Sequence, residues 1–490
     1  KFKNTYNRRD VEYLMNNKNR SEISTSLFWK ILENGGSQGV QFIVSVLLAR
    51  LLSPSEYGIV AIVLIFTTIA NVLVQNGFAS ALIQKFHADD LDFSSVLIFN
   101  VLLSVAIYIL LFLGSPVIAG IYKNPELTDI LRVMGIIILP GSIISIENSY
   151  VARNMKFKTL FIATFFSSVI SGSVSVIMAL EGAKVWSLVF QQIVYYFALL
   201  IILGIGIKYF PGLKFSLDRL KTMFAYGSKL LAASLIDTIF TNIHGLVIGK
   251  AYSEDMLGSF NRGEQFPKLV VSNLSSAIQS VLLPAMSKKQ ESKEDVKSLL
   301  KSSVRLSTFV VAPMMCGLAA VSDNLILLLL GEKWRIAIPF LQMMCFSYVF
   351  WPIHVSNLEA LNAMGRSDIF LKLEIIKKIL GIAILLIGIR YNVFVFVGLK
   401  AFSDLICAYI NAAPNERLLG YTLKEQSMDA LNNFIPAIIM GIIIYIAGKH
   451  IGIGILSLLI QIVLGVIIYI ALAVVMKNEN FKMIVSKVRE

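Results

Sequence analysis

The sequence predicts an all-α polytopic membrane protein of about fourteen transmembrane helices, and three observations predict it. Of its 490 residues, 56% are hydrophobic and only 15% are charged, with a mean hydropathy of +0.73. That balance belongs to chains that cross bilayers rather than to soluble domains. Apolar stretches of about 20 residues, the length that spans about 30 Å of hydrocarbon, recur from one end to the other. The connections between them are short. The largest, SKKQESKEDVKS at Ser287–Ser298, leaves no room for a soluble domain.

In order, the helices are expected at 28–51, 57–84, 94–122, 129–151, 159–180 and 185–207, then at 222–250, 256–286, 300–330, 336–364, 369–389 and 393–413. A last pair is expected at 430–449 and 453–476. The organisation that follows is a polar, basic N-terminal tail (1–27) without an apolar signal-like run, an N-lobe of six helices (28–207) and a linker (208–221). A C-lobe of six helices (222–413), two further helices (414–476) and a C-terminal tail (477–490) complete it. Pro140, Pro267, Pro284, Pro313 and Pro352 lie in or near spans, where the missing N–H implies kinks.

The formal charge of +13 is spread over short loops, which fits membrane topology better than nucleic acid. One set of connections holds Arg153/Lys156/Lys158, Lys208/Lys214/Arg219/Lys221, the cluster Lys288–Arg305 and the tail Lys477–Arg489. The alternating set holds mostly single charges. By the bias of Lys and Arg toward the cytoplasmic face, both termini are expected to be cytoplasmic. Cys316, Cys345 and Cys407 lie in apolar segments, and neither they nor His87, His244, His354 and His450 have metal-ligand spacing. There is no G-x-S-x-G, P-loop or HExxH, so nothing points to an enzyme.

An internal repeat appears at an offset of 200 residues. LLARLLSPSEYG (Leu47–Gly58) aligns with VIGKAYSEDMLG (Val247–Gly258), pairing Ser53 with Ser253, Gly58 with Gly258 and Arg50 with Lys250. Each copy reads as helix, short polar turn, helix. Two six-helix lobes related by pseudo-symmetry follow, an arrangement that in transporters rocks about a central site.

Polar stripes mark what would line that site. In Leu257–Lys289, Arg262, Gln265, Ser272, Ser276 and Gln279 fall within an arc of about 100°. A charge at such depth costs about 2.5–3.5 kcal/mol on insertion scales and normally faces water or a partner; Glu264 is one available partner. The first helix carries Asn34, Ser37, Gln38, Gln41 and Ser45 on one face, the second Thr68, Asn71 and Gln75, and the seventh Lys229, Asp237 and His244. Helix–helix hydrogen bonding explains any one of these residues equally well. Further ionisable residues at depth are Glu33, Arg132, Glu147, Lys268, Glu359, Lys377, Lys378, Lys400 and Asp404.

ARLLSPSEYGIVAI (Ala49–Ile62), NGFASALIQ (Asn76–Gln84) and LGSFNRGEQFPKL (Leu257–Leu269) resemble segments of the polysaccharide transporters of the oligosaccharide flippase family. That family belongs to the multidrug/oligosaccharidyl-lipid/polysaccharide exporter superfamily. Phe260 and Gly263 depart mildly from the pattern. The resemblance implies lobes around a central cavity and flipping of undecaprenyl-diphosphate-linked oligosaccharide across the bacterial inner membrane by alternating access. It also implies no cofactor beyond a possible coupling Na+ or proton, and a polysaccharide polymerase and chain-length regulator among the partners, besides membrane lipids.

For a diphosphate entering a low-dielectric cavity, cationic side chains offset desolvation, and Arg262, Lys229 and Lys268 are the expected clamp with Lys377 and Lys378 as outer contacts. Asn34, Gln38, Gln41, Asn71, Gln75 and Gln265 offer partners for sugar hydroxyls. Asp237, with Glu264, Glu33 and His244, is the candidate for ion coupling; an ion pair of Asp237 with Lys229 or His244 remains open. A cation-coupled multidrug antiporter of the same fold, a glycosyltransferase or ligase, and an assembly scaffold are the alternatives. The first calls for an acidic, aromatic cavity and the second for a long external loop.

Overall fold

The protein is described here by a computed structural model covering residues 28–29, 32, 35–85 and 88–482, apart from the side chains of Asn76, Ser80, Ala225 and Tyr226. All regular structure among these residues is helical. The first helix, α1, is described over 35–51. It is followed by α2 (Pro54–Gln84), α3 (Asp90–Tyr122), α4 (Glu126–Met134), α5 (Ile138–Arg153), α6 (Phe157–Leu180), α7 (Val185–Ile207) and α8 (Leu217–Ala251). Then come α9 (Glu254–Ser287), α10 (Lys293–Ala320), α11 (Ser322–Leu329), α12 (Ala337–Tyr348), α13 (Trp351–Ala363), α14 (Ser367–Gly388), α15 (Val393–Leu419), α16 (Leu423–Ile451) and α17 (Ile455–Val475).

Twelve helices among the described residues are long and apolar enough to cross a membrane, α4 with α5 and α12 with α13 each counting as one. The other two of the expected fourteen are the first, only partly described, and α14, which packs Asp368, Lys372, Glu374, Lys377 and Lys378 into 22 residues. The fourteenfold count is therefore approximate. Three expected spans are broken, the first of them, 129–151, by a 3-10 turn at Gly135–Ile137. Residues 300–330 divide at Val321, and 336–364 divides ahead of Pro352, which sits in the first turn of α13 where its missing donor costs nothing. α15 runs on to Leu419 and α16 starts at Leu423, capped by Thr422 and Glu425. Polar residues hide these turns from a hydropathy reading.

The serine pairing of the 200-residue repeat is structural. Ser53 caps α2, accepting from the Glu56 amide, and Glu56 reaches back to the Ser53 amide at 2.6 Å. Ser253 caps α9 in the same register, accepting from Met256. Each satisfies an N–H that the helix leaves orphaned.

The chain divides into two compact units, one ending at Leu246 and one beginning at Val247, so the boundary lies inside α8, downstream of the expected 208–221 linker. In the first unit, α5 packs on α2, α3 and α7. One apolar cluster joins Phe78, Leu82, Phe93, Leu97 and Ile146, and a second joins Ile144, Val151, Leu199, Leu203 and Ile207. Ser37 and Gln41 of α1 bond Thr164 and Ser168 of α6 at 3.0 and 3.3 Å. α2 and α8 meet backbone to backbone: a Cβ at Gly227 would lie 2.8 Å from the Gly77 carbonyl oxygen. At one end of the unit Asp92, fully buried, holds Lys85 at 2.6 Å and Arg219 at 3.7 Å.

In the second unit α16 packs along α10, and polar bonds bind the last pair to the rest. Arg305 grips Asp429 at 2.6 Å, and Asn433 donates to Thr308 at 2.8 Å. Asn324 reaches Ser457 and Gln461 of α17, and Asn357 of α13 meets Gln426 of α16 and Asn415 of α15. Amide–amide bonds of this kind substitute for a hydrophobic drive that lipid does not supply.

Candidate functional site

The second unit builds its polar interior around α9. Gly263 makes this possible: a Cβ there would come 2.7 Å from the Leu341 amide nitrogen and 2.8 Å from the Ala337 carbonyl oxygen of α12. With no side chain in the way, the two helices touch, and their flanking residues meet. Phe260 packs edge-on to Phe340 at 5.8 Å. Arg262, 8% exposed, donates to Gln265 and lies 5.8 Å from the ring of the fully buried Trp334. Glu264 accepts from the Tyr348 hydroxyl at 3.2 Å.

From Glu264 the polar groups continue across the unit. Lys400 of α15 is 3.5 Å from Asp404 one turn on, and Glu264 is its second carboxylate neighbour. Ser347 donates to Asp404. Nε2 of His354 on α13 lies 3.0 Å from the Asp404 carbonyl oxygen, and Nδ1 lies 3.0 Å from the Asn411 side-chain amide. Lys377 of α14 pairs with Glu374 at 2.6 Å. With Arg262 counted, the carboxylates of Glu264, Glu374 and Asp404 face the cations of Arg262, Lys377 and Lys400, so this interior is balanced rather than basic.

The expected clamp residues therefore sit in different settings. Arg262 is packed against Trp334 and Gln265, and Lys377 is occupied by Glu374. Lys378 is half-buried. Lys268, by contrast, is exposed, and on the same face of α9 Ser272, Ser276 and Gln279 are exposed too. In the first unit Lys229 and Asp237 of α8 are exposed and His244 half-buried. No ion pair joins Lys229, Asp237 or Lys268 to a described residue. The Asp237 pair with Lys229 or His244 is thus not formed here.

Depth gives these charges their meaning. At 1.5 Å per residue, Asp237 lies about 15 Å from Gly227 and about 21 Å from Ala251, the two ends of its span. Lys268 lies about 21 Å inside α9. Facing hydrocarbon, each would cost about 2.5–3.5 kcal/mol; exposed polar side chains beside Lys268 indicate water instead.

On α2, Gln75 donates to Asn71 at 3.1 Å, and a Cβ at Gly141 of α5 would come 2.9 Å from both side chains. Gln41 serves the α1–α6 contact, and Gln38 is half-buried. Glu33 and Asn34 lie outside the described residues. Sequence reasoning missed the roles of Trp334, Tyr348, Ser347 and Asn411; the i, i+4 spacing of Lys400 and Asp404 is the one signal it offered.

A family described as polysaccharide biosynthesis protein matches residues 47–339, more than half of the chain. The chain belongs to that family. Among its relatives, the teichuronic acid biosynthesis protein TuaB of Bacillus subtilis is 25% identical over 67% of this chain and 69% of its own. The succinoglycan biosynthesis transport protein ExoT of Rhizobium meliloti is 26% identical over 67% of each chain. The lipopolysaccharide biosynthesis protein WzxC of Escherichia coli is 25% identical over 71% of this chain and 72% of its own. The solved structure of the lipid II flippase MurJ in an inward closed conformation shares the fold, with a TM-score of 0.73 over 92% of this chain and 98% of that one at 17% identity. An inward-facing multidrug resistance MATE family transporter of the MOP superfamily fits less closely, at 0.56 over 80% and 98% with 14% identity. The protein is a multi-pass membrane member of a family of polysaccharide biosynthesis proteins.

Proposed function

We propose that the protein is a flippase that carries undecaprenyl-diphosphate-linked oligosaccharide across the bacterial inner membrane by alternating access, for surface polysaccharide synthesis. The observation that carries this reading is the pair of exposed charges near mid-membrane, Asp237 and Lys268, without partners among the described residues. They require water at depth, and an anionic headgroup on a lipid is a cargo that needs both water and a cation there. The family, the relative named as a succinoglycan transport protein and the fold shared with a lipid II flippase support the same reading.

Lys268 in the second unit and Lys229 in the first are each a candidate diphosphate ligand, and the exposed Ser272, Ser276 and Gln279 serve the sugar. Gln265, with Gln38, Asn71 and Gln75, is a secondary sugar contact. Arg262 acts by holding α9 against Trp334 and reaches the headgroup only if Gln265 gives way. Asp237 couples transport to a proton or Na+, with Glu264, His244 and Glu33 as further candidates. Both termini face the cytoplasm, and a polymerase and chain-length regulator act on the delivered oligosaccharide. The multidrug antiporter reading is weaker, because its structural neighbour fits less closely.

The test is the double variant Lys229→Ala/Lys268→Ala in the full chain, assayed for flipping of a lipid-diphosphate-linked oligosaccharide in proteoliposomes. Flipping should fall at least tenfold, with Lys229→Arg/Lys268→Arg retaining most of it. Unchanged flipping in the alanine variant removes both lysines from the mechanism.

A further inference from the structure

Glu147 of α5 is a carboxyl group that the foregoing account does not use. It is 9% exposed, no hydrogen bond or ion pair joins it to a described residue, and its Oε2 is wholly buried. Its other oxygen lies against α7, where a Cβ built at Gly204 would come 3.1 Å from Oε1; the glycine gives the carboxyl its room. Beside it is a cleft of about 10 Å³ lined by Leu97, Ile146, Tyr150, Ile207 and Tyr209, about the space one water needs. Tyr150 and Tyr209 stack with ring centroids 4.1 Å apart and planes 9° apart.

Among the described residues, no charged group on a packed element is bonded to Glu147. On α3, Asp90 accepts from Tyr209 and Asp92 holds Lys85. On α5, Arg153 donates to the carbonyls of Leu82 and Lys85. At the start of α6, Lys156 sits 5.1 Å over Tyr150 and Lys158 5.4 Å over Trp29. α7 carries no charged side chain between Val185 and Ile207, and Lys208 follows it. On α2, Glu56 is bonded to Ser53 at the far end. An ionised Glu147 would have given up water with no partner to offset the loss.

We propose that Glu147 is a proton-binding site of the first unit, loaded and emptied from the membrane face that bears the Tyr150–Tyr209 stack. Loading converts the carboxylate and a hydronium ion into the neutral carboxyl and water. Unloading is the reverse and needs a chain of waters from the membrane face to the carboxyl, more than the one molecule the cleft has room for, so the stack must part first. Site occupancy is thereby tied to the opening of that end of the unit. This link to transport rests on the flippase reading; the proton site itself does not.

Infrared difference spectroscopy of the full chain in lipid nanodiscs at neutral pH reads the C=O stretch of a protonated carboxyl whether or not the protein transports. The expected result is a band that shifts in D2O, is lost in Glu147→Gln and remains in Glu359→Gln. A spectrum unchanged by Glu147→Gln overturns the proposal. Should that variant not fold, Tyr209→Ala takes its place. Admitting water, it should at least halve the band, and undiminished intensity overturns the gating by the tyrosine pair. A chain that shows the band yet flips no lipid-linked oligosaccharide at any pH sinks the flippase reading and leaves the proton site standing.

Discussion

Gly263→Ala is the sharpest test of how the second unit is assembled. The added Cβ would stand 2.7 Å from the Leu341 nitrogen and 2.8 Å from the Ala337 oxygen. Both are backbone atoms, which no rotamer change can move aside. Ordinary contact begins near 3.4 Å, so α9 and α12 must separate by about 0.7 Å or shear past each other. Overpacking of this kind costs about 1–3 kcal/mol, or about 2–12 °C of unfolding temperature for a unit of this size. The separation also draws Glu264 away from Tyr348 and Arg262 from Trp334. The assay is thermal unfolding of the full chain in detergent, with Gly381→Ala as the control, since a Cβ at Gly381 meets nothing within 4 Å. Equal unfolding temperatures for the two variants would refute the close crossing.

Three other outcomes are expected. Ser53→Ala should lower stability by about 1 kcal/mol and Ser253→Ala by less, because the Ser53 hydroxyl also donates to the Glu56 carboxylate at 2.9 Å; denaturation of each variant against wild type measures it. The Asp89 carboxyl is held below its ordinary value chiefly by the Asp92 amide, with Arg219 and Lys85 adding to it. Its contribution is therefore full above that ordinary value of 3.8 and lost as pH falls through the lower folded value. The unfolding temperatures of Asp89→Asn, which keeps a capping oxygen, and wild type should differ at neutral pH and converge below pH 3.8. Finally, a cysteine at the exposed Gln290 should react with an impermeant reagent only in inverted vesicles and one at Lys123 only in intact cells; the reverse pattern would invert the topology.

The helical architecture was legible because composition and run length alone decide whether a segment crosses a bilayer. The breaks at Val321 and before Pro352 were not, since an apolar run does not reveal where a chain changes direction within it. The charges of α8 and α9 stood out as lone ionisable residues in apolar surroundings. What Arg262 touches was not readable: Trp334 is remote in sequence, and burial depends on a helix contact that a single glycine permits. The Asn357–Asn415–Gln426 set was equally hidden, because three separate helices contribute it and no one of them shows a stripe. Glu147 appeared as one ionisable residue among many, and only packing reveals that it is alone.

The Gly77–Gly227 crossing has a mechanical meaning. Where most helices are held apart by the side chains that interlock between them, α2 and α8 touch at this one point with backbone alone. Beside that bare patch Leu220 and Met223 of α8 lock into the cluster of Phe78 and Leu82, so the crossing fixes how deeply α8 seats while its neighbours fix its rotation. A valine at either glycine would act as a wedge, prising the two backbones apart and unseating α8 along with the charges it bears.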